Sequence, residues 1–84
     1  MKTVESETVL ADPRALERAM QRAGVSTTAM RFELGAGAEK ALLNARNGRR
    51  IRFLTLDKVA CMLGTHVVEL LEDPNVIIRE RWLI

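Results

Sequence analysis

Aromatic residues are scarce in this chain: Phe32, Phe53 and Trp82 are the complete set, and there is no Tyr. A core must therefore be built from Leu, Val, Ile, Ala and Met, a composition that favours packed helices over an aromatic-rich sheet. There is one cysteine, Cys61, which excludes an internal disulfide, and one histidine, His66, so no metal-ligand set is in view. Cys61 reads as a core residue and His66 as a helix-terminus or surface residue, since no Ser, Cys or carboxylate spacing around it suggests general-base chemistry. No enzyme activity and no cofactor is expected. No apolar run approaches the roughly 20 residues of a membrane span, and MKTVESETVL lacks a signal-peptide core. The expected location is the cytoplasm.

What is present bounds the rest. Eighty-four residues suit one domain over 1–84, with a hydrophobic fraction of 48% and a charged fraction of 29% that are ordinary for a folded protein. Net charge is only +2, but it is unevenly spread. Residues 1–24 are balanced and residues 54–84 sum to −2, whereas residues 25–53 carry Arg31, Lys40, Arg46, Arg49, Arg50 and Arg52 against Glu33 and Glu39, net +4. The middle third is where a polyanion would bind.

Helix signals recur along 12–74, the expected core of the domain. Asp12 as N-cap, Pro13 at the first position and Gly24 after the end delimit a first helix with Leu16, Ala19, Met20 and Ala23 inward. Ser26 caps a second helix, STTAMRFELG, with Ala29, Met30 and Leu34 inward and Gly35 at its end. The glycines of GAGA (35–38) permit positive φ and read as a turn into a third helix over about 38–47, which closes at Gly48 and turns Ala38, Ala41, Leu42 and Ala45 inward. Beyond a basic loop at 48–52, anchored by Ile51 and Phe53, Thr55 reads as the cap of TLDKVACMLG, with Asp57 in its first turn. Thr65 reads as the cap of a short fifth helix, HVVELLED, stopped by Pro74.

The ends differ. NVIIRERWLI alternates Val76, Ile78, Trp82 and Ile84 on one face and reads as a strand over 75–84. The arm 1–11 contains KTVESETVL, a weaker strand candidate. A lone strand is unstable, so the C-terminal strand is expected to pair with the N-terminal segment or with its counterpart in a second subunit, making Val76, Ile78, Trp82 and Ile84 a dimer interface.

Three stretches carry a resemblance: AGVSTTAMRFELGAG, KALLNARNGRR and LTLDKVACMLGTHVVELLED. Together they resemble the lambda-repressor-like helix-turn-helix regulators of bacteria and phages, the Cro and repressor type, over about 60 of the 84 residues. The resemblance implies a mostly α, five-helix domain whose third helix enters the major groove of operator DNA, acting as a transcriptional repressor without enzymatic activity. Departures are the GAGA turn, one residue longer than usual, and Thr27 where family members often place a phosphate-holding Gln.

The residues support the same chemistry independently. On the outward face of the third helix, Asn44 can bond adenine N6 and N7, Lys40 guanine O6 or N7, Glu39 cytosine N4, and Leu43 a thymine methyl. Arg46, Asn47, Arg49, Arg50 and Arg52 can hold phosphates, with Ser26, Thr27 and Thr28 presenting a helix N-terminus from the other side. The commoner role of such side chains is a solvated face, and for Arg31 and Arg52 a surface ion pair or cover for apolar atoms. Useful specificity on DNA calls for two copies at half-sites about 34 Å apart, hence a homodimer. The alternatives are an antitoxin or anti-repressor module of the same fold, with Trp82 in its contact surface, and a purely structural oligomerising module.

Overall fold

A computed structural model of the chain describes residues 8–73. Asp12 adopts extended backbone geometry and its Oδ1 accepts from the amides of Arg14 (3.0 Å) and Ala15 (3.4 Å), which starts α1, Pro13–Ala23. Ser26 does the same for α2, Thr27–Leu34, accepting from the Ala29 amide at 3.1 Å. Then come α3, Ala36–Arg46, and α4, Phe53–Leu63. A single 3₁₀ turn, Val67–Leu70, follows. Two short strands complete the order: β1, Thr8–Val9, precedes α1, and β2, Ile51–Arg52, lies between α3 and α4.

The helices close on an aliphatic core. Leu16, Met30, Leu42, Leu56, Val59 and Leu70 are its largest fully buried side chains, and no polar side chain is buried among the described residues. Leu16, Ala19 and Met20 from α1, Ala38, Leu42 and Ala45 from α3, and Leu56, Val59, Ala60 and Leu63 from α4 contribute at helical spacing, and α2 buries Met30 alone. Ala41, Leu34 and Phe53 pack against them half-buried. Ala23, expected inward, is exposed. It sits in the last turn of α1, where Val25 returns across the helix end and packs on the core instead.

Several expectations are corrected. Among the described residues there are four α-helices, not five. The expected fifth is one 3₁₀ turn of four residues, capped by His66, whose Nδ1 accepts from the Val68 amide at 3.2 Å. The proposed cap, Thr65, instead donates its hydroxyl to the Glu69 carboxylate. The chain then becomes extended, with Leu71 bridged to Ala11 and the Glu72 amide donating to the Leu10 carbonyl at 3.0 Å, so pairing with the N-terminal segment replaces helix propagation. Likewise α4 starts two residues before Thr55. Arg52 is its N-cap with no side-chain bond, because the chain passes directly from β2 into the helix, and Asp57 lies beyond the first turn.

Cys61 is exposed, not buried. It lies next to Ala60 on α4, and one residue is about 100° around a helix, enough to carry it off the inward stripe. The N-terminal strand pairs antiparallel with β2, Thr8 opposite Arg52 and Val9 opposite Ile51. Its partner is thus inside the basic loop. The proposed C-terminal strand and its interface residues Val76, Ile78, Trp82 and Ile84 lie outside the described residues.

The turn between α2 and α3 is shorter than GAGA suggests. Gly35 alone is non-helical, with φ 95° and ψ 174°, a region closed to residues bearing a Cβ, while Gly37 lies inside α3. Neither glycine has an atom within 4 Å of where a Cβ would sit, so backbone conformation alone decides the outcome of substitution. Gly35→Ala is expected to lower stability by about 1–3 kcal/mol. Gly37→Ala should raise it by about 0.5–1 kcal/mol through helix propensity. Urea unfolding of the two variants checks the opposite signs.

Candidate nucleic-acid interface

The start of α3 at Ala36 fixes which side chains face outward. With Ala38, Leu42 and Ala45 buried, the opposite side of the helix carries Ala36, Lys40, Leu43 and Asn47, all exposed. Leu43 keeps 49% of its surface in water. Ala36 and Gly37 are small, so the first turn of α3 presents a nearly bare backbone. Glu39 and Asn44 are half-buried and occupy the two edges of this face.

Asn44 and Arg46 are two residues apart, about 200° around the axis, and so lie on opposite edges of α3. On the Asn44 edge a groove of about 250 Å³ runs between α3 and the β-ladder, lined by Thr8, Gly37, Lys40, Ala41, Asn44, Arg50, Ile51, Arg52 and Thr55. It holds three cations and no carboxylate. On the Arg46 edge a second groove, about 390 Å³, is lined by Glu17, Met20, Gln21, Val25, Ser26, Thr27 and Arg46 among others. The exposed face of α3 therefore lies between two grooves, each bearing at least one arginine.

The arginines differ in what they already hold. Arg46 pairs with Glu17 across to α1 (3.4 Å), and its guanidinium reaches the Met20 sulfur at 3.9 Å. Both ends of that pair are substantially exposed, so it contributes at most about 1 kcal/mol and leaves Arg46 open to exchange for a stronger anion. Arg50 is committed to the fold: its Nε donates to Thr8 Oγ1 at 2.9 Å and its Nη2 to the Thr8 carbonyl. Among the described residues Lys40, Arg49 and Arg52 make no side-chain hydrogen bond or ion pair. Arg49 is aimed by the end of α3, where Gly48, at φ 73°, lets the Gly48 amide donate to Ala45 O (3.2 Å) and the Arg49 amide to Asn44 O (2.8 Å).

The sequence-derived residues thus divide. Lys40, Asn44, Arg50 and Arg52 are brought into one groove, and Ser26, Thr27 and Arg46 into the other. Thr28, Asn47 and Arg49 are exposed outside both. Ser26 spends its hydroxyl oxygen as the α2 cap. Thr8 and Glu17 were not singled out from the sequence, because each is distant in the chain from the partner it meets here and no local spacing marks it; Thr55 was read only as a helix cap.

Arg50 and Arg49 offer a direct contrast. Arg50→Ala is expected to cost about 1 kcal/mol of stability and to lower amide protection at Val9 and Ile51, whereas Arg49→Ala should stay within about 0.5 kcal/mol of the parent. Urea melts with hydrogen exchange measure both.

Among the described residues no helix is long and apolar enough to cross a membrane, and no three His, Cys, Asp or Glu side chains gather as a metal-ligand set. No family model, curated protein or solved structure matches the chain.

Proposed function

We propose that this protein is a sequence-specific, duplex-DNA-binding transcriptional regulator of the Cro and repressor kind, with α2 and α3 as its helix-turn-helix and α3 in the major groove. The observation that carries the reading is the exposed face of α3 set between two arginine-bearing grooves, one of them without a carboxylate. A major groove is about 12 Å wide and is bordered by a phosphate backbone on each side. A reading helix with cations along both edges matches that layout, whereas a general solvated face has no reason to.

In this arrangement Lys40 and Leu43 reach base edges from the middle of α3, with Asn44 and Glu39 at its flanks, and the small Ala36 and Gly37 admit close approach. Arg49 and Arg52 hold phosphates beside Lys40. Arg46 holds one on the other edge with Thr27, Thr28 and the head of α2, after leaving Glu17. Asn47 joins the exposed face at its end. The protein would bind as a homodimer on a two-fold operator, in the cytoplasm at the nucleoid, and block polymerase by occupancy.

The test is selection of bound duplexes from a random pool at low salt, with the mass of the complex measured in parallel. A recovered motif with two-fold symmetry and a complex of two chains are expected; no enrichment from any pool would overturn the reading. A second reading, a protein-interaction module of antitoxin or anti-repressor type, is favoured by Phe32, which stands 84% exposed on α2. Failure of the selection would move the case to it.

A further inference from the structure

The outer face of α1 takes no part in the proposed DNA contacts. Arg14, Arg18 and Arg22 recur at i, i+4 and i+8, so they stand in one row with about 6 Å of axial rise between neighbours and about 12 Å from end to end. All three are exposed, and none makes a side-chain hydrogen bond or ion pair among the described residues. Like charges at this spacing weaken a helix. The single carboxylate of α1, Glu17, does not offset them, because it is turned to the α3 side and pairs with Arg46.

A trough runs beside this row. Arg18 and Arg22 border a groove of about 350 Å³ between α1 and the 3₁₀ turn, and Arg22 also borders a neighbouring groove of about 500 Å³ that reaches the end of α4. Thr65 and Glu69 line both, over a floor of buried Ala19, Leu63 and Leu70. The Glu69 carboxylate already accepts from the Thr65 hydroxyl, and His66 Nδ1 from the Val68 amide. The neutral imidazole therefore carries its proton on Nε2, a further donor at the trough. With two guanidinium groups and this N–H open to solvent, the trough suits an anion.

We propose that this face docks an acidic helix of another protein, its carboxylates spaced i, i+4 and i+8. Two helices side by side share the same repeat of about 6 Å, so each carboxylate of such a helix meets one arginine of the row. Glu69 decides between polyanions. Its carboxylate repels a phosphodiester at the edge of the row, whereas a peptide offers N–H groups to its remaining lone pairs. The surface is separate from the one assigned to DNA: Glu17 and Gln21 line the groove on the α3 side, and Arg18 and Arg22 the groove on the other side of α1. The docking therefore does not rest on the DNA-binding reading, and an acidic partner can be held while α3 is occupied.

The experiment titrates the isotopically labelled full chain, at low salt, with an alanine-rich helical peptide of about 20 residues bearing three Glu at i, i+4 and i+8. A second peptide of the same composition places them at i, i+2 and i+5, scattered around the helix. The first peptide is expected to shift the amides of residues 14–22 and 63–70, and to bind roughly threefold to tenfold more tightly than the second, the scale of two exposed ion pairs. Arg18→Gln/Arg22→Gln should remove that preference, while Arg31→Gln/Lys58→Gln, the same change of charge elsewhere on the surface, should keep it. The amide spectrum reports in the same measurement that each variant is folded. Equal affinity for the two peptides, shifts centred on α3, or a preference that survives Arg18→Gln/Arg22→Gln would overturn the docking. A short DNA duplex that shifts residues 14–22 as strongly as the first peptide would also overturn it and assign the row to phosphate.

Discussion

Replacing Lys40, Arg49 and Arg52 together by alanine is expected to weaken duplex DNA binding about a hundredfold at moderate salt. Each side chain is exposed, and none has a side-chain partner among the described residues. The field of all three is therefore available to DNA, Lys40 at the base edges and Arg49 and Arg52 at phosphates, with no internal carboxylate to displace first. Loss of about 1 kcal/mol per contact gives the hundredfold figure, and the log–log salt slope should become shallower by roughly 2 to 3, at about 0.9 per phosphate. Stability should hardly change, because exposed side chains away from caps and packing usually act within about 0.5 kcal/mol each. Fluorescence anisotropy across a salt series, beside a thermal melt, separates the two effects. Unchanged affinity and slope would sink the phosphate assignment for this edge. Arg50 is left out of the triple because its loss would loosen β1, and a fall in affinity would then have two causes.

Leu56→Ala is expected to destabilise the fold by about 2–5 kcal/mol. Leu56 has no exposed surface and belongs to the same buried cluster as Leu16, Met30, Leu42 and Leu70. Removing its side chain opens a cavity bounded by several helices, which cannot all move inward to close it. Small domains have only about 5–15 kcal/mol in total, so a measurable unfolded fraction at 37 °C is expected and DNA binding should be lost with it. Leu54→Ala, two residues earlier on the same helix, is the control: Leu54 is 41% exposed, and its truncation should cost less than about 1 kcal/mol. Urea denaturation of both variants checks the ratio.

Much of the local structure was legible. Asp12 and Ser26 cap where their side-chain oxygens suggested, α1, α2 and α4 stop at Gly24, Gly35 and Gly64, and most of the inward stripes are buried, Ala23 alone being exposed. Of the expected stripes Ala29, Leu34 and Ala41 are only half-buried, but the rest depend on residues within one or two helical turns of each other, so spacing alone reports them. The misreadings share the opposite property. The start of α4 at Phe53 rather than at a Thr55 cap, and the shrinkage of the fifth helix to a 3₁₀ turn, both follow from strand-like pairing with the N-terminal segment more than forty positions away, Thr8 with Arg52 and Ala11 with Leu71. Gly37 looked like a turn residue because glycine permits positive φ, and permission is not requirement: Gly35 alone uses it between α2 and α3.

The candidate site divides along the same line. Periodicity placed Lys40, Leu43 and Asn44 on the side of α3 away from its buried stripe, and composition showed that no acidic residue falls between Glu39 and Asp57 to offset the arginines. Those are properties of one helix and one short loop. What each arginine does was decided by tertiary structure. Arg46 meets Glu17 because α3 ends beside α1, Arg50 grips Thr8 because β1 crosses the loop, and Arg49 and Arg52 remain available to an anion. A charge in a sequence has a sign and a position along the chain, but its partners are set by which distant backbone packs beside it, and that is settled only when the aliphatic core closes.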